Sequence, residues 1–181
     1  MPGPQDVRIH GYLAASFLLE QEPGRWDVLV ILDSGLVETP FVGEHAKRHL
    51  CLWFDDVVAP TEGKTLASQE DVAKALRFAG TCDKLLVSCR AGQSRSAALA
   101  YLALCQAGSA EDAVRVFDPT RHIPNRLIVE LGDRVLGDPD VLDQFERWRS
   151  RHEHVSFSDH FDDIERELDA LIEQGAVNRI E

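Results

Sequence analysis

The sequence lacks any apolar run long enough to cross a lipid bilayer, and it has little positive charge. Its 181 residues carry a formal net charge of −12, whereas a protein that binds a nucleic acid backbone needs a basic face. We therefore expect no membrane span and no nucleic acid partner.

The chain also lacks a C-x-x-C pair, and its four cysteines stand far apart, at positions 51, 82, 89 and 105. Such spacing predicts free thiols rather than a disulfide framework.

The first residues lack the features of a secretory signal. Met-Pro-Gly-Pro-Gln-Asp has neither a basic region nor an apolar core, so the cytoplasm is the predicted compartment. No residue pattern points to a metal or another cofactor, and we expect none. What the chain does have is 44% hydrophobic and 28% charged residues. This composition is typical of a soluble globular domain with a sizeable core.

Three short apolar runs predict buried strands, over residues 27–32, 49–54 and 84–88. They are continuous rather than alternating, as expected of a parallel sheet covered on both faces. The stretches between them have helical patterns, of which Ser68-Gln-Glu-Asp71 is the clearest, because it is typical of a capping box at a helix start. The sequence therefore predicts an α/β fold, with a central, mostly parallel sheet of four or five strands flanked by helices.

Acidic residues concentrate at the C-terminal end. Residues 138–181 hold 13 acidic and 5 basic side chains, and so carry most of the net charge. Two apolar stripes at helical spacing run through this segment, one from Val141 to Trp148 and one from Phe157 to Leu171. We predict a domain of residues 1–137 and an acidic helical C-terminal extension of residues 138–181. The extension either packs on the domain through these stripes or joins two copies as a homodimer, and packing is the favoured interpretation.

The most informative stretch joins an apolar strand to an alanine-rich helix through a short loop, at residues 85–100. At a helix N-terminus, unpaired backbone N–H groups and the helix dipole favour an anion. Gly92 allows loop conformations that a side chain would hinder. Arg95 enters the first helical turn, where its planar fork suits two oxygens of a phosphoryl group. Cys89 lies at the base of this predicted anion site, in surroundings that favour a thiolate able to attack the phosphorus of a phosphoester.

The full string, Cys-x-x-Gly-x-Ser-Arg-Ser over residues 89–96, is specific. The competing interpretation, a buried cysteine and an unrelated surface arginine, does not explain the glycine, the serines or the flanking strand and helix. The hydroxyl of Ser96, which follows the arginine, is placed to hydrogen-bond the sulfur and help it leave. We therefore interpret Cys89 as a nucleophile and Arg95 as the residue that binds the phosphoryl group.

This string resembles the catalytic loop of the protein tyrosine phosphatase superfamily, and of its dual-specificity branch most closely, over roughly residues 7–137. The resemblance implies a phosphoric monoester hydrolase that forms a cysteinyl-phosphate, with catalytic roles for Cys89, Arg95 and Ser96. The loop residues that it implies in binding the phosphoryl group are Arg90, Ala91, Gly92, Gln93 and Ser94. Two features depart from the family: Ser88 stands where histidine is usual, and the Trp-Pro-Asp signature of the tyrosine-specific branch is absent.

The family also has an aspartate general acid on a loop well before the cysteine. Here Asp55 and Asp56 follow the second predicted strand, 34 and 33 positions before Cys89. Matching this pair to the Asn-Asp pattern of some dual-specificity members selects Asp56. Ile123-Pro124-Asn125 is similar to a family motif in which the asparagine, here Asn125, supports the catalytic loop and so belongs to the candidate site. Arg121, just before it, either adds positive charge near the pocket or is an ordinary surface residue.

A rhodanese-like sulfurtransferase is the first alternative, because rhodanese loops are similar and also use a cysteine thiolate. Their loops are usually one residue shorter between cysteine and arginine, whereas five residues intervene here, and sulfur transfer gives an upstream aspartate acid no role. A non-catalytic phosphate-binding module is the second alternative, but such modules typically lose the cysteine or the arginine. The third is an interaction protein that works through its acidic tail, which does not exclude catalysis.

The substrate class stays open between phosphotyrosine, phosphoserine or phosphothreonine, phosphoinositides and small phosphoesters. The loop lacks the paired lysines typical of phosphoinositide-hydrolysing members. This favours a phosphorylated protein or a small phosphoester as the partner.

Overall fold

A four-stranded sheet forms the centre of the protein. The computed structural model describes residues 3–37 and 40–153. All four strands are parallel and lie in the order β1-β4-β2-β3. The strands are β1 (Asp6–His10), β2 (Asp27–Leu32), β3 (Arg48–Trp53) and β4 (Lys84–Ser88). The predicted α/β class with a mostly parallel sheet is therefore confirmed.

Helices cover both faces of the sheet. In the described part of the chain they are α1 (Tyr12–Gln21), α2 (Pro40–His45), α3 (Gln69–Ala79), α4 (Arg95–Ala107), α5 (Ala110–Ala113), α6 (Arg126–Leu136) and α7 (Asp140–Arg151). A short 3₁₀ turn follows α5. None of these helices is both long enough and apolar enough to cross a membrane.

The central strands, β2 and β4, are apolar over most of their length. β2 is buried along its whole length, and only the first residue of β4 is partly exposed. β1 is different, because its charged and polar residues alternate with Val7 and Ile9. A strand at the sheet edge needs only one apolar face. β1 therefore needs no continuous apolar run of the kind by which the other three strands were predicted, although β3, at the other edge, has one.

Two apolar layers hold the helices on the sheet. Successive side chains of a strand point to opposite faces, so Val28 and Val30 of β2 pack with α1, whereas Leu29 and Ile31 pack with α3, α4, α6 and α7. Helix α4 is buried on nearly all sides, and its sequence is accordingly rich in alanine and leucine. The predicted capping box opens α3, because Asp71 N donates to the Ser68 hydroxyl over 3.1 Å and Ser68 N to the Asp71 carboxylate over 3.0 Å.

Helix α7 packs on the rest of the molecule through one face. Val141, Phe145 and Trp148 are buried in the same apolar layer as α4, and the Tyr101 hydroxyl donates to Val141 O over 2.7 Å. The second predicted apolar stripe, Phe157 to Leu171, lies outside the described residues, so the choice between packing on the domain and a homodimer remains a prediction. The division of the chain at residue 137 remains a prediction.

The carboxyl ends of the parallel strands meet at one edge of the sheet. This is the edge where α/β proteins assemble their sites. Here it carries His10 at the end of β1, Asp33 after β2, the Asp55-Asp56 pair after β3 and Cys89 after β4.

Candidate active site

The loop between β4 and α4 turns its backbone N–H groups inward. Its carbonyl oxygens are bound from outside by residues 121–125, in three hydrogen bonds: Arg121 Nη2 to Ala91 O over 2.9 Å, Ile123 N to Gln93 O over 3.0 Å and Asn125 N to Ser94 O over 3.3 Å. In a trans peptide the next N–H points opposite to the carbonyl, so these bonds aim the following amides into the loop. No backbone N–H of residues 90–95 donates to another group in the described part of the chain. Backbone donors left without partners in this part of the structure, at the start of α4, can bind an anion.

Gly92 is required by the way this loop sits on the sheet. Its φ is +65°, in the left-handed region that favours glycine. A Cβ atom there would lie 2.3 Å from Gly11 N and 2.4 Å from the His10 carbonyl carbon. The loop therefore rests directly on the backbone that joins β1 to α1, and any side chain at this position would displace it.

Cys89 lies at the base of the loop. Its side chain is buried, and its Sγ atom is 3.0 Å from the Ser96 hydroxyl oxygen. Ser96 itself is fully buried in the first turn of α4. The structure thus brings together the predicted nucleophile and the predicted donor to its sulfur. The hydroxyl of Ser88, where the family usually has histidine, is buried without a hydrogen-bond partner among the described residues.

Arg95 is held by one edge of its guanidinium group. Its Nη1 atom is 2.7 Å from both Phe54 O and the Asp33 carboxylate. Its Nε atom is buried and has no hydrogen-bond partner in the described part of the protein. Burial alone would lower the pKa of Arg95, but the nearby Cys89 sulfur and Asp33 carboxylate outweigh burial and raise it. The side chain is therefore a fixed cation whose remaining donors are available to an anion.

Asp33 is a site residue that the sequence reasoning missed. It follows β2 directly and forms the ion pair that holds Arg95 at 2.7 Å. The available signal was its place in the chain, since it follows a buried strand as the Asp55-Asp56 pair follows the next one. Carboxylates at the ends of neighbouring parallel strands lie on the same edge of the sheet.

The two consecutive aspartates face different surroundings. Asp56 Oδ1 accepts hydrogen bonds from the Ser94 hydroxyl over 2.7 Å and from Asn125 Nδ2 over 2.8 Å. Its Oδ2 atom accepts none among the described residues and lies 4.0 Å from Arg95 Nε. Because only Oδ2 lacks a hydrogen-bond donor, it is the oxygen available to carry a proton. The geometry therefore favours Asp56 over its neighbour as the acid beside the loop.

Asp55 is turned to the other side of the strand end. Its Oδ2 atom accepts hydrogen bonds from the Ser34 hydroxyl over 2.5 Å and from Thr65 N over 2.8 Å, and Lys64 lies 3.4 Å from Oδ1. Burial raises the pKa of Asp55, but these hydrogen bonds and the lysine charge outweigh burial and lower it. A carboxylate kept ionised in this way holds the loop after β3 in place and is a poor proton donor.

Asn125 connects the acid to the next helix. Its side chain is buried, and its Oδ1 atom accepts a hydrogen bond from Ile128 N over 3.2 Å, which caps α6. Its Nδ2 atom donates to Asp56 Oδ1, and its backbone N to Ser94 O. The predicted supporting asparagine thus contacts both the acid and the loop.

The remaining loop residues have different degrees of burial. The side chains of Gln93 and Ser94 are buried, whereas Arg90 and Ala91 are partly exposed. Two buried atoms, Arg90 Nε and Gln93 Oε1, have no hydrogen-bond partner in the described part of the chain. Within residues 3–37 and 40–153, no cluster of three or more histidine, cysteine or acidic side chains is arranged to hold a metal ion.

Comparison with known proteins gives structural neighbours only. A scan against protein-family models and a search of curated proteins both give no match. Among solved structures, the chain is similar to PTPMT1 in complex with PI(5)P, with 16% identity, 81% of this chain and 94% of that chain covered, and a TM-score of 0.49. It is similar to Tk-PTP in the active form, with 15% identity, 73% and 90% covered, and a TM-score of 0.48. It is also similar to the Yvh1 phosphatase domain from Chaetomium thermophilum, with 18% identity, 83% and 95% covered, and a TM-score of 0.42.

These three structures are members of the protein tyrosine phosphatase superfamily, the family to which the loop was compared in sequence. Identities under one fifth and TM-scores below 0.5 do not define a function. The chemistry of this chain therefore rests on its own residues.

Proposed function

We propose that this protein is a cysteine-dependent phosphatase of the protein-tyrosine or dual-specificity type, which hydrolyses phosphomonoesters through a phosphocysteine at Cys89. One observation carries the proposal. A buried cysteine lies at the base of a loop whose N–H groups from residues 90–95 have no partner among the described residues, beside a fixed arginine whose Nε atom has none there either. Buried polar groups normally have partners, and a phosphoryl group supplies acceptors for all of these donors at once.

In the first step the Cys89 thiolate attacks phosphorus. The sulfur–phosphorus bond forms as the bond between phosphorus and the ester oxygen breaks. The loop N–H groups and the free edge of Arg95 hold the other three oxygens, on which negative charge is spread in the transition state. Asp56, with its Oδ2 atom facing the loop, donates its proton to the leaving oxygen, so that an alcohol or phenol departs rather than its anion.

In the second step water hydrolyses the phosphocysteine. Asp56, now ionised, accepts a proton from the water as its oxygen attacks phosphorus. The sulfur–phosphorus bond breaks, and the electron pair returns to Cys89. The Ser96 hydroxyl, 3.0 Å from the sulfur, donates a hydrogen bond that stabilises the thiolate as it leaves. Inorganic phosphate is released, and the enzyme is back in its starting state, with Asp56 protonated and Cys89 a thiolate.

The surroundings of Asp56 indicate where the alcohol part of the substrate lies. An open depression of about 390 Å³ next to the acid is lined largely by apolar residues of the 57–61 loop and by Ile123 and Pro124. We propose a phosphorylated side chain of a protein, or a small soluble phosphoester, as the substrate. We further propose that the protein works in the cytoplasm, because a reducing compartment keeps Cys89 as a thiol rather than a disulfide.

The mechanism is tested with two substrates that differ in leaving group. Phenolate from phenyl phosphate needs a proton, whereas nitrophenolate is already stable near neutral pH. Asp56→Asn should therefore lower kcat for phenyl phosphate by on the order of 10² to 10⁴ and much less for nitrophenyl phosphate. Asp55→Asn is the matched control, and it should lower both rates by similar small factors through local structure.

Vanadate, a phosphate mimic, should inhibit the wild type, and chelators should not. A leaving-group dependence in Asp55→Asn but not in Asp56→Asn would show that the acid is misassigned. Thiosulfate-to-cyanide sulfur transfer faster than ester hydrolysis would support the sulfurtransferase instead.

A further inference from the structure

The segment that holds the loop from outside contains a buried histidine. His122 lies between Arg121 and Ile123, which bind the carbonyl oxygens of Ala91 and Gln93. The side chain of His122 is itself buried and takes no part in the two steps of ester hydrolysis proposed above. A buried polar ring normally has a hydrogen-bond partner, and here that partner is a backbone N–H group.

Two hydrogen bonds join His122 to Asp118, four residues earlier. The Nδ1 atom of His122 accepts from Asp118 N over 2.8 Å, and His122 N donates to Asp118 O over 2.9 Å. The backbone N and the hydroxyl of Thr120 both donate to Asp118 Oδ1, over 2.8 Å and 2.7 Å. Residues 118–122 therefore form a closed turn, and the imidazole ring is the acceptor for the backbone N–H at its start.

The imidazole can accept this hydrogen bond because it is neutral. Burial lowers the pKa of His122 to about 4, although the Asp118 carboxylate acts in the opposite direction. A neutral imidazole has one nitrogen that accepts a hydrogen bond, and the contact with Asp118 N identifies this nitrogen as Nδ1. The side chain is thus an acceptor directed at the main chain, and it acts on the loop through the turn rather than on the substrate.

The turn is packed between α4 and α7. The ring of Phe117, just before the turn, has its centroid 5.0 Å from that of Tyr101 in α4 and 4.7 Å from that of Trp148 in α7. The His122 ring meets Phe117 edge-on, with 6.4 Å between centroids. All four rings are buried. These contacts fix the start of the segment, and Asn125, which caps α6, fixes its end.

The turn between these two fixed points decides where Arg121 and Ile123 lie. Their hydrogen bonds to the loop carbonyls aim the following N–H groups into the loop. We propose that His122 is a positioning residue for phosphoryl binding, which keeps the 118–122 turn closed so that the loop N–H groups point at the anion. This inference rests on the proposed phosphatase function and deepens it. Since the same N–H groups hold the phosphoryl oxygens in the bound ester and in the transition state, loss of the acceptor should raise KM more than it changes kcat.

Two amides of different length test the position of the acceptor. In His122→Asn the amide oxygen is bonded to Cγ, as Nδ1 is in histidine, so it can accept from Asp118 N. In His122→Gln the oxygen lies one bond farther along the side chain. His122→Gln should raise KM for nitrophenyl phosphate and the inhibition constant of vanadate by about fivefold, the effect of one lost hydrogen bond, and should change kcat by less than about twofold. His122→Asn should keep both constants within about twofold of the wild type.

Two further variants separate the missing acceptor from a general loss of stability. His122→Leu has no acceptor at all, and its KM should rise at least as much as that of His122→Gln. Tyr101→Phe is the matched control, because it loses one buried hydrogen bond, to Val141 O over 2.7 Å, and keeps its ring beside Phe117. It should lower the midpoint of urea denaturation but leave KM and the vanadate constant as in the wild type. Circular dichroism checks that each variant is folded.

The possible outcomes are distinct. Unchanged KM and vanadate constants in both His122→Gln and His122→Leu would refute the positioning role and leave the proposed function standing. Equal increases in His122→Asn and His122→Gln, or an equal increase in Tyr101→Phe, would also overturn it, because the acceptor would not be the cause. A wild type that hydrolyses no ester refutes the proposed function. Calorimetric binding of inorganic phosphate then decides the positioning role, since affinity should fall in His122→Gln and be kept in His122→Asn, and a wild type that binds no phosphate refutes both.

Discussion

The two ends of β4 use the same residue types in different surroundings. Each end has a buried cysteine, an arginine and an aspartate paired with that arginine, and these are Cys82, Arg48 and Asp27 at the amino end and Cys89, Arg95 and Asp33 at the carboxyl end. At the amino end every group is paired within the protein. At the carboxyl end the N–H groups of residues 90–95 and the Nε atom of Arg95 have no partner among the described residues, so they are available to a ligand.

The amino end shows how a cysteine beside an arginine stays inert. Cys82 donates to Phe78 O over 3.2 Å. Burial, and then the negative charge of Asp27, raises the pKa of its thiol to about 12, so it is neutral at physiological pH and is not a nucleophile. Arg48 donates to Asp27 through Nε over 2.7 Å and through Nη2 over 3.0 Å, and its Nη1 donates to the Thr81 hydroxyl over 3.3 Å. This arrangement stabilises the sheet edge and leaves no donor directed at an anion.

The carboxyl end differs because a helix begins there. Helix α4 starts just after Cys89 and contributes unpaired N–H groups, whereas no helix starts at Cys82, which follows the end of α3. Arg95 is anchored through Nη1, and its Nε atom has no hydrogen-bond partner within residues 3–37 and 40–153. In a parallel sheet all strands run in the same direction, so helix starts collect at the carboxyl edge. Strand direction, rather than residue type, therefore decides which of the two cysteines lies beside a helix start.

Replacing each cysteine by serine should give the largest difference in catalytic rate between the two ends of β4. Cys89→Ser should lower kcat for an aryl phosphate by on the order of 10⁴ or more, because a serine hydroxyl is not ionised by this loop. Cys82→Ser keeps a donor for Phe78 O and should retain wild-type activity within about twofold. Steady-state kinetics on both purified variants measures the difference. Substantial turnover by Cys89→Ser would show that Cys89 is not the nucleophile.

Replacing Arg95 or Arg48 by lysine should give the next largest difference in catalysis between the two ends. Arg95→Lys keeps the positive charge but loses the planar fork, and kcat/KM should fall by about 10² to 10³. Arg48→Lys loses one of two hydrogen bonds to Asp27, which should lower the free energy of unfolding by about 1 kcal/mol and leave kcat/KM unchanged. Kinetics and urea denaturation of the two variants provide the measurements. If Arg48→Lys reduced catalysis as much as Arg95→Lys, the two ends would not be functionally different.

The aspartate exchange should have a smaller effect on catalysis. Asp33 positions Arg95 and does not touch the reacting atoms, so Asp33→Asn should raise KM by about tenfold and change kcat less. The inhibition constant of vanadate should rise in parallel, which a general loss of stability would not produce. Asp33→Glu should restore part of the affinity. Asp27→Asn, the control at the other end, should lower stability without changing KM.

The central strands and the loop after β4 could be predicted from the sequence, whereas β1 and the site residue Asp33 could not. β2 and β4 were predicted correctly because both faces are buried, which produces continuous apolar runs. β1 was missed because its apolar residues alternate with charged and polar ones, which its place at the sheet edge permits. The association of Cys89, Arg95 and Ser96 followed from local spacing along one loop and one helix turn. Asp33 was not predicted, because its pairing with Arg95 spans 62 positions of the chain and depends on strand order.

The smallest expected effect concerns alkaline stability at the amino end. The folded pKa of Cys82, about 12, lies above its ordinary value of 9.0. Above pH 9 the unfolded chain therefore loses its thiol proton while the folded protein keeps it, so the folded state binds more protons and stability falls as pH rises. Between pH 8 and pH 10 this group should cost about 1 kcal/mol of the free energy of unfolding. Cys82→Ser has no thiol to titrate, so its stability should fall less over that range in urea denaturation curves.

Cys105, whose pKa is also raised to about 12 by burial, is unchanged in the variant and contributes equally to both curves. If the free energy of unfolding changed with pH in the same way for the wild type and Cys82→Ser, the Cys82 thiol would ionise as readily in the folded protein as in the unfolded chain. The chemical difference between the two ends of β4 would then be smaller than their geometry indicates.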